Sequence, residues 1–294
     1  ENFNKAKPGL GGFIPWIDVG SQGFRLNKDT NVNLPGLDNG QLAWAFVAAA
    51  EALTIVGDVP LAKRYTDYVN IIVESAPTLF LRSNGKVAMI TKVADATAPV
   101  SKDNVASASG WLGDPYEGEL MLMFLDLMCY WPDPSRKSLM WTSVKANQKA
   151  VEYDHEGLPD GPITVQRGWR FSSHELWKYF VLPYTDNALV AKVLANGERA
   201  RTWNSKLNDI PGLMGSCYSY DGKYYDVFGI KSIAGGYTEP PKEKLMVTPY
   251  GAYPLMMVDL GYGLAWHQSM LGRPHMQNVI GSTEASQAFD GTAV

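Results

Sequence analysis

The sequence predicts a mainly α-helical fold, a toroid of paired antiparallel helices with long loops and one or two β-hairpins. Helix-start patterns followed by apolar residues at three- and four-residue spacing recur along the chain. The 28 Gly and 18 Pro residues interrupt these runs too often for a coiled coil or a long rod. The helical runs are also too irregular for a repeat solenoid. In a toroid the connections collect at two rims around an axial cavity. Loops rich in Trp, Tyr, Asp and Glu on one rim would then form a sugar-sized cleft.

The first helix is set by Asp38-Asn39-Gly40-Gln41, a D-x-x-Q capping box with Asp38 as N-cap. It runs through Leu42, Trp44, Phe46, Ala49, Ala50 and Leu53 and stops at Gly57. Asp58-Val59-Pro60 opens the second helix, which carries Leu61, Tyr65, Tyr68, Val69 and Ile72 at helical spacing and ends at Pro77. The two form an antiparallel pair. Residues 87–110 have no aromatic side chain and much Ala, Val, Ser, Thr and Asp, which reads as strand or long loop.

Asp114-Pro115-Tyr116-Glu117 supplies an N-cap, a first-turn proline and a capping glutamate before an apolar run to Trp131. Asp133-Pro134-Ser135 starts a helix to about Val151, and Ile163 to Phe171 reads as strand or hairpin. Ser172-Ser173-His174-Glu175 caps a helix that Pro183 breaks. Asp186 to Trp203 gives another, with Leu189, Val193 and Leu194 inward. Cys217 to Tyr225 alternates around Asp221-Gly222, a hairpin pattern. Thr248-Pro249 opens a helix through Val258, and Gly263 to Leu271 forms another before Pro274.

Hydrophobic residues at 46% and charged residues at 19% describe a globular chain with ample core material. A net charge of −4 without a long basic run disfavours nucleic-acid partners. The apolar runs Leu42 to Ala50 and Leu120 to Trp131 are too short and interrupted to cross a bilayer, so a soluble protein is expected. Cys129 and Cys217 leave one optional bridge or two buried thiols. The start, Glu1-Asn2-Phe3-Asn4, has neither an initiator Met nor a signal-peptide pattern and reads as processed or cut, with a secreted location expected.

No GxGxxG, GxxxxGK[ST], HExxH, EF-hand or GxSxG pattern is present, which disfavours dehydrogenases, P-loop enzymes and serine hydrolases. Carboxylates beside aromatics and glycines are what remains prominent. Cleaving an acetal needs one carboxyl group to protonate the leaving oxygen and a second to activate water or attack, while aromatic faces hold sugar rings.

The segment from Gly110 to Met121 concentrates these features. Glu117 is most simply the capping partner of Asp114. Glu119 has no such task and precedes the apolar stretch Leu120 to Leu125, where desolvation would raise its pKa as a general acid requires. A solvated first-turn glutamate is the alternative. Trp111 and Tyr116 are ring platforms beside it. Asp38, if not a cap, would accept a sugar hydroxyl. Asp154 and His155, with Trp169 after them, suggest a substrate-contacting loop rather than a metal site, because no second histidine is near. His174 could face solvent or cleft, and Asp290 is a candidate second carboxylate.

The run Leu37-Asp38-Asn39-Gly40-Gln41-Leu42-Ala43, the Trp111 to Met121 segment with its Glu-Gly-Glu-Leu-Met, and Gly281-Ser282-Thr283-Glu284-Ala285 resemble the endo-β-1,2-glucanases, particularly those of fungal type. The resemblance spreads over most of the chain. It implies an (α/α)6 barrel that hydrolyses β-1,2-glucan with inversion and needs neither metal nor other cofactor. A glutamate general acid falls on the Glu-Gly-Glu segment, with Glu119 preferred to Glu117. An aspartate later in the chain, acting as base through a substrate hydroxyl and water, falls on Asp290 or lies beyond Val294. The family's domain is longer, so residues 1–294 are expected to be one catalytic domain truncated at its C-terminus.

The expected function is therefore an inverting glycoside hydrolase acting within a β-glucan, with a glucan as its partner. A polysaccharide lyase using Tyr153, His155, Arg167 and Arg170, or a non-catalytic carbohydrate-binding protein, are the alternatives.

Overall fold

Asp58, Asp133, Asn187 and Asp259 each stand just before a helix and accept a backbone N–H from its first turn. A short polar side chain thereby satisfies donors that have no partner inside the helix. The computed structural model describes residues 1–21, 23–26, 32–113, 118–168, 178–213, 217–218, 224–225, 229–236 and 245–288. They are mainly helical and fall into two compact units, Glu1–Asn147 and Gln148–Val294.

The first unit runs α1 (Asn2–Ala6), β1 (Ile17–Gly20), β2 (Gly23–Leu26), β3 (Val32–Pro35), α2 (Gly36–Ile55), α3 (Val59–Phe80), β4 (Val87–Val93), β5 (Val105–Leu112), α4 (Glu119–Met128) and α5 (Pro134–Lys145). α2 reverses into α3 through a turn at Gly57, whose φ of 83° is left-handed, and the two are the expected antiparallel pair. Residues 87–110 are both strand and loop: β4 lies centrally between β3 and β5 in an antiparallel sheet, and residues 94–104 form the connection between β4 and β5. Arg82 ties α3 to this sheet. Its guanidinium donates to Leu79 O at 2.9 Å, Ser107 Oγ at 3.0 Å and Thr91 Oγ1 at 3.2 Å.

The second unit runs β6 (Ala150–Tyr153), β7 (Ile163–Gln166), α6 (Ala188–Leu207), β8 (Cys217–Tyr218), β9 (Tyr224–Tyr225), β10 (Met246–Val247), α7 (Tyr253–Val258), α8 (Leu260–Leu271), β11 (Gln277–Asn278), β12 (Gly281–Ser282) and β13 (Ser286–Gln287). β6 and β7 form an antiparallel hairpin onto which α6 packs, with Asn196 Nδ2 donating to Thr164 O at 2.8 Å. Ile210, Leu213, Val247, Ala252, Leu255 and Met270 form a buried cluster at the α7–α8 end. β8 and β9 pair as the Cys217–Tyr225 pattern predicts.

Several boundaries differ from expectation, each for a local reason. α2 begins at Gly36 with Pro35 as N-cap, so Asp38 lies inside the first turn and does not cap. Pro77 does not end α3, which continues to Phe80. Leu79 and Phe80 are fully buried there, and Arg82 and Thr91 bond the carbonyl of Leu79. The α4 helix stops at Met128, where Trp131 folds back to donate to Leu125 O at 2.9 Å. α5 ends at Lys145, and residues up to Tyr153 enter β6 instead. Leu189 is exposed at the solvent side of the first turn of α6, not inward. Cys129 is a buried free thiol, its pKa pushed up to about 12 by burial.

α2 and α4 approach closely because position 40 is glycine. A Cβ at Gly40 would lie 2.7 Å from Met121 N and 3.1 Å from its Cα. Trp44 Nε1 donates to Leu120 O at 2.9 Å one turn further on. Gly40→Ala is expected to force the helices apart and destabilise the first unit by about 2 kcal/mol in urea denaturation. An unchanged midpoint would mean that backbone contact is not required here.

Candidate functional site

Gly40 meets Met121 and, four residues on, the Trp44 ring meets Phe124 edge-on at 5.8 Å. The partners advance in the same order along both helices, so α2 and α4 run parallel and their N-termini open at the same end. The first turn of α2 carries Asp38, and that of α4 carries Glu119. Glu119 is only 7% exposed, and Leu120, Met121, Leu122, Phe124 and Leu125 behind it are completely buried. It is therefore not the solvated first-turn glutamate of the alternative reading.

Asn39 organises the approach to Asp38. Its buried amide donates to Ile14 O at 2.9 Å and Pro35 O at 2.8 Å, and accepts from Ile14 N at 2.9 Å. Trp16 N donates to Asn33 O at 3.1 Å. The segment is thus pinned on both sides of Pro15. The Trp16 indole N–H neighbours the Asp38 carboxyl and acts to lower its pKa. Although Asp38 is exposed as a residue, protein atoms around its carboxyl raise its pKa by burial, and the Trp16 N–H partly opposes that rise.

β5 delivers Trp111 to the same end of α2. The register of β4 and β5 shifts at Ile90/Thr91, and Gly110 adopts a φ of 56°. Beyond this irregularity Leu112 is buried, within 3.1 Å of where a Gly36 Cβ would stand, while Trp111 is 40% exposed. Lys86 Nζ lies 5.4 Å from the Trp111 ring centroid, so one face of the indole holds a cation. A cavity of about 620 Å³ adjoins this segment, lined by Ile14, Ile17, Phe46, Leu61, Tyr65 and Tyr68. No predicted site residue lines it.

A family model described as endo-beta-1,2-glucanase SGL matches residues 1–294. The chain belongs to this endo-β-1,2-glucanase family. It is similar to the solved endo-beta-1,2-glucanase from Talaromyces funiculosus in complex with sophorose, at 34% identity and a TM-score of 0.88, covering 99% of this chain and 61% of that one. It is also similar to a Glu-to-Gln mutant of that enzyme in complex with beta-1,2-glucan, at 35% identity and a TM-score of 0.87, covering 100% and 60%. The chain thus spans about three fifths of the length of these relatives. A comparison with curated proteins gives no match.

The fold of this endo-β-1,2-glucanase family member is therefore that of its solved relatives, in agreement with the mainly helical class and with the resemblance read from sequence. Glu117, Tyr116, Trp169, His174 and Asp290 lie outside the described residues. Asp154 and His155 are exposed in the loop between β6 and β7, where the His155 ring lies 5.0 Å from that of Tyr153. Among the described residues no three His, Cys, Asp or Glu side chains gather to hold a metal ion.

Sequence reasoning missed two groups. Trp16 precedes the first periodic segment, so no pattern marks it. Glu198 and Arg201 on α6 are 1% and 5% exposed and pair at 2.9 Å. Glu198 Oε2 has no hydrogen-bond partner among the described residues. The i, i+3 spacing was the available signal.

Burial pushes the Glu198 carboxyl above the usual carboxylate range, against the pull of Arg201. A raised carboxyl keeps a proton in the folded chain that the unfolded chain has released. Stability therefore falls as pH rises from the ordinary glutamate range through the folded pKa. Arg201→Met is expected to cost about 3 kcal/mol at neutral pH and to leave less loss in acid, where Glu198 is neutral. Equal stability of variant and parent at both pH values, by urea denaturation, would contradict this.

Proposed function

We propose that this chain carries the catalytic acid of an inverting endo-β-1,2-glucanase, and that the acid is Glu119. The observation that carries this reading is a buried carboxyl at the head of α4, beside the Asp38-bearing start of a parallel helix, in a chain of the endo-β-1,2-glucanase family. The relatives with sophorose and beta-1,2-glucan bound support the substrate class.

Glu119 would donate its proton to the glycosidic oxygen as the bond from that oxygen to C1 breaks. A water oxygen forms the new bond to C1 from the opposite face, and its proton passes to the base. Inversion needs room for that water, a carboxyl separation of roughly 6.5 to 9.5 Å. We assign the base to Asp290, with the water proton relayed through a sugar hydroxyl. Glu117, the other glutamate of the Glu-Gly-Glu segment, is the second candidate for the acid. Asp38, Asp154, His155 and His174 are assigned to sugar hydroxyls, and Trp111, Tyr116 and Trp169 to ring faces.

The lyase alternative is less well supported. Its Tyr153 is buried with the phenol pushed up to about 12, the wrong direction for a base, and Arg167 is engaged with Ala234 O at 3.1 Å. Glu119→Gln is expected to lower kcat about a thousandfold with little change in KM, since a general acid acts in the transition state. The measurement is reducing ends released from β-1,2-glucan. Full activity in both Glu119→Gln and Glu117→Gln would overturn the assignment.

A further inference from the structure

Trp16 stands out because a large apolar ring, 43% exposed, is carried on a segment whose backbone is fully tied down. Asn39 holds Ile14 from both sides of its peptide, and Asn33 holds Trp16 itself. Exposed tryptophans on loose segments gain nothing from such bracing. A braced backbone fixes where the ring is carried, which lowers the ordering cost of binding a flat partner.

The indole N–H also neighbours the Asp38 carboxylate and favours its charged form. The lone pairs of that carboxylate can accept from a donor arriving beside the ring. An apolar face flanked by a hydrogen-bond acceptor matches a pyranose, whose axial C–H bonds form an apolar face and whose equatorial hydroxyls project from its edge.

Resting on the glucan reading of this site, we propose that Trp16 is a substrate-contacting platform. One glucosyl ring stacks on its indole and donates a hydroxyl to Asp38, with Asn39 as the positioning residue that fixes the platform. Trp111, with Lys86 over one face, is a separate platform at the same helix end.

The test is calorimetric titration of sophorose into the full chain carrying Glu119→Gln, so that cleavage does not intervene. Adding Trp16→Ala is expected to weaken binding about tenfold through loss of stacking. Trp16→Phe keeps a ring and should restore most of that affinity. It also removes the indole N–H beside Asp38, so the acid limb of the binding profile should move to higher pH, because burial then raises that carboxyl unopposed. With the otherwise unsubstituted chain on β-1,2-glucan, Trp16→Ala should raise KM with kcat nearly unchanged, a split that general unfolding does not produce.

Sophorose affinity unchanged by Trp16→Ala, or no sophorose binding by the parent chain, overturns the proposal. Weakened binding in Trp16→Ala alongside full hydrolysis after Glu119→Gln keeps Trp16 and removes Glu119 from its role. Unaltered binding with hydrolysis lost in Glu119→Gln does the reverse.

Discussion

The approach of α2 to α4 at Gly40 is the constraint on which the first unit depends. Without a side chain at this position the backbone of Met121 sits where a Cβ would be, and Trp44 reaches the carbonyl of Leu120. Two consequences follow from one missing methyl group. The helices are locked in parallel register, and their positive ends, with Asp38 and Glu119, share one face of the unit. Parallel neighbours cannot be joined by a short loop. The chain between them accordingly makes α3 and the β4–β5 hairpin, and the hairpin returns Trp111 to the start of α2.

Two polar side chains buried by this arrangement have their hydrogen bonds made. Asn39 uses both its donors and its acceptor on backbone atoms, and Arg82 spans the end of α3 and two strands. Each would be costly to bury without those bonds. Each also links segments far apart in sequence, so they specify the fold as well as permit it. The second unit buries a charged pair on α6, and buried polar atoms without a hydrogen-bond partner among the described residues occur in both units, Asn33 Oδ1 in the first and the Tyr153 hydroxyl in the second.

Local signals were the legible ones. Asp58 and Asp133 cap as their spacing predicts, and the aromatic-free stretch holds β4 and β5. The Cys217–Tyr225 alternation marks a real pairing, and the burial of Glu119 follows from the apolar run behind it. What escaped depends on distance along the chain. Asp38 looks like a cap until Pro35, with no N–H and a fixed φ, takes the N-cap position three residues earlier. Pro77 looks like a terminator because the side chains that bond the last carbonyls come from beyond it. Pairing helices by sequence neighbourhood finds α2 with α3 but misses the parallel contact of α2 with α4. Trp16 owes its place to an asparagine 23 positions later, which no periodicity announces. The three short stretches that carried the resemblance had already pointed to the family that the whole chain matches.

The hydrogen bonds of Asn39 also bear on how the protein ages. Asparagine followed by glycine is chemically labile, because the glycine nitrogen can attack the side-chain amide and release ammonia through a cyclic imide. Asn39-Gly40, Asn84-Gly85 and Asn196-Gly197 all have this sequence. In the first and third the backbone is helical and the amide is held by hydrogen bonds, so the ring-closing geometry is out of reach. Asn84 sits exposed in a turn. Damage there leaves a surface carboxylate, whereas the same loss at Asn39 would remove the donors that hold Ile14 and Pro35. The fold thus keeps its most consequential amide in the conformation least able to destroy itself, and unfolding, even brief, is when that protection lapses.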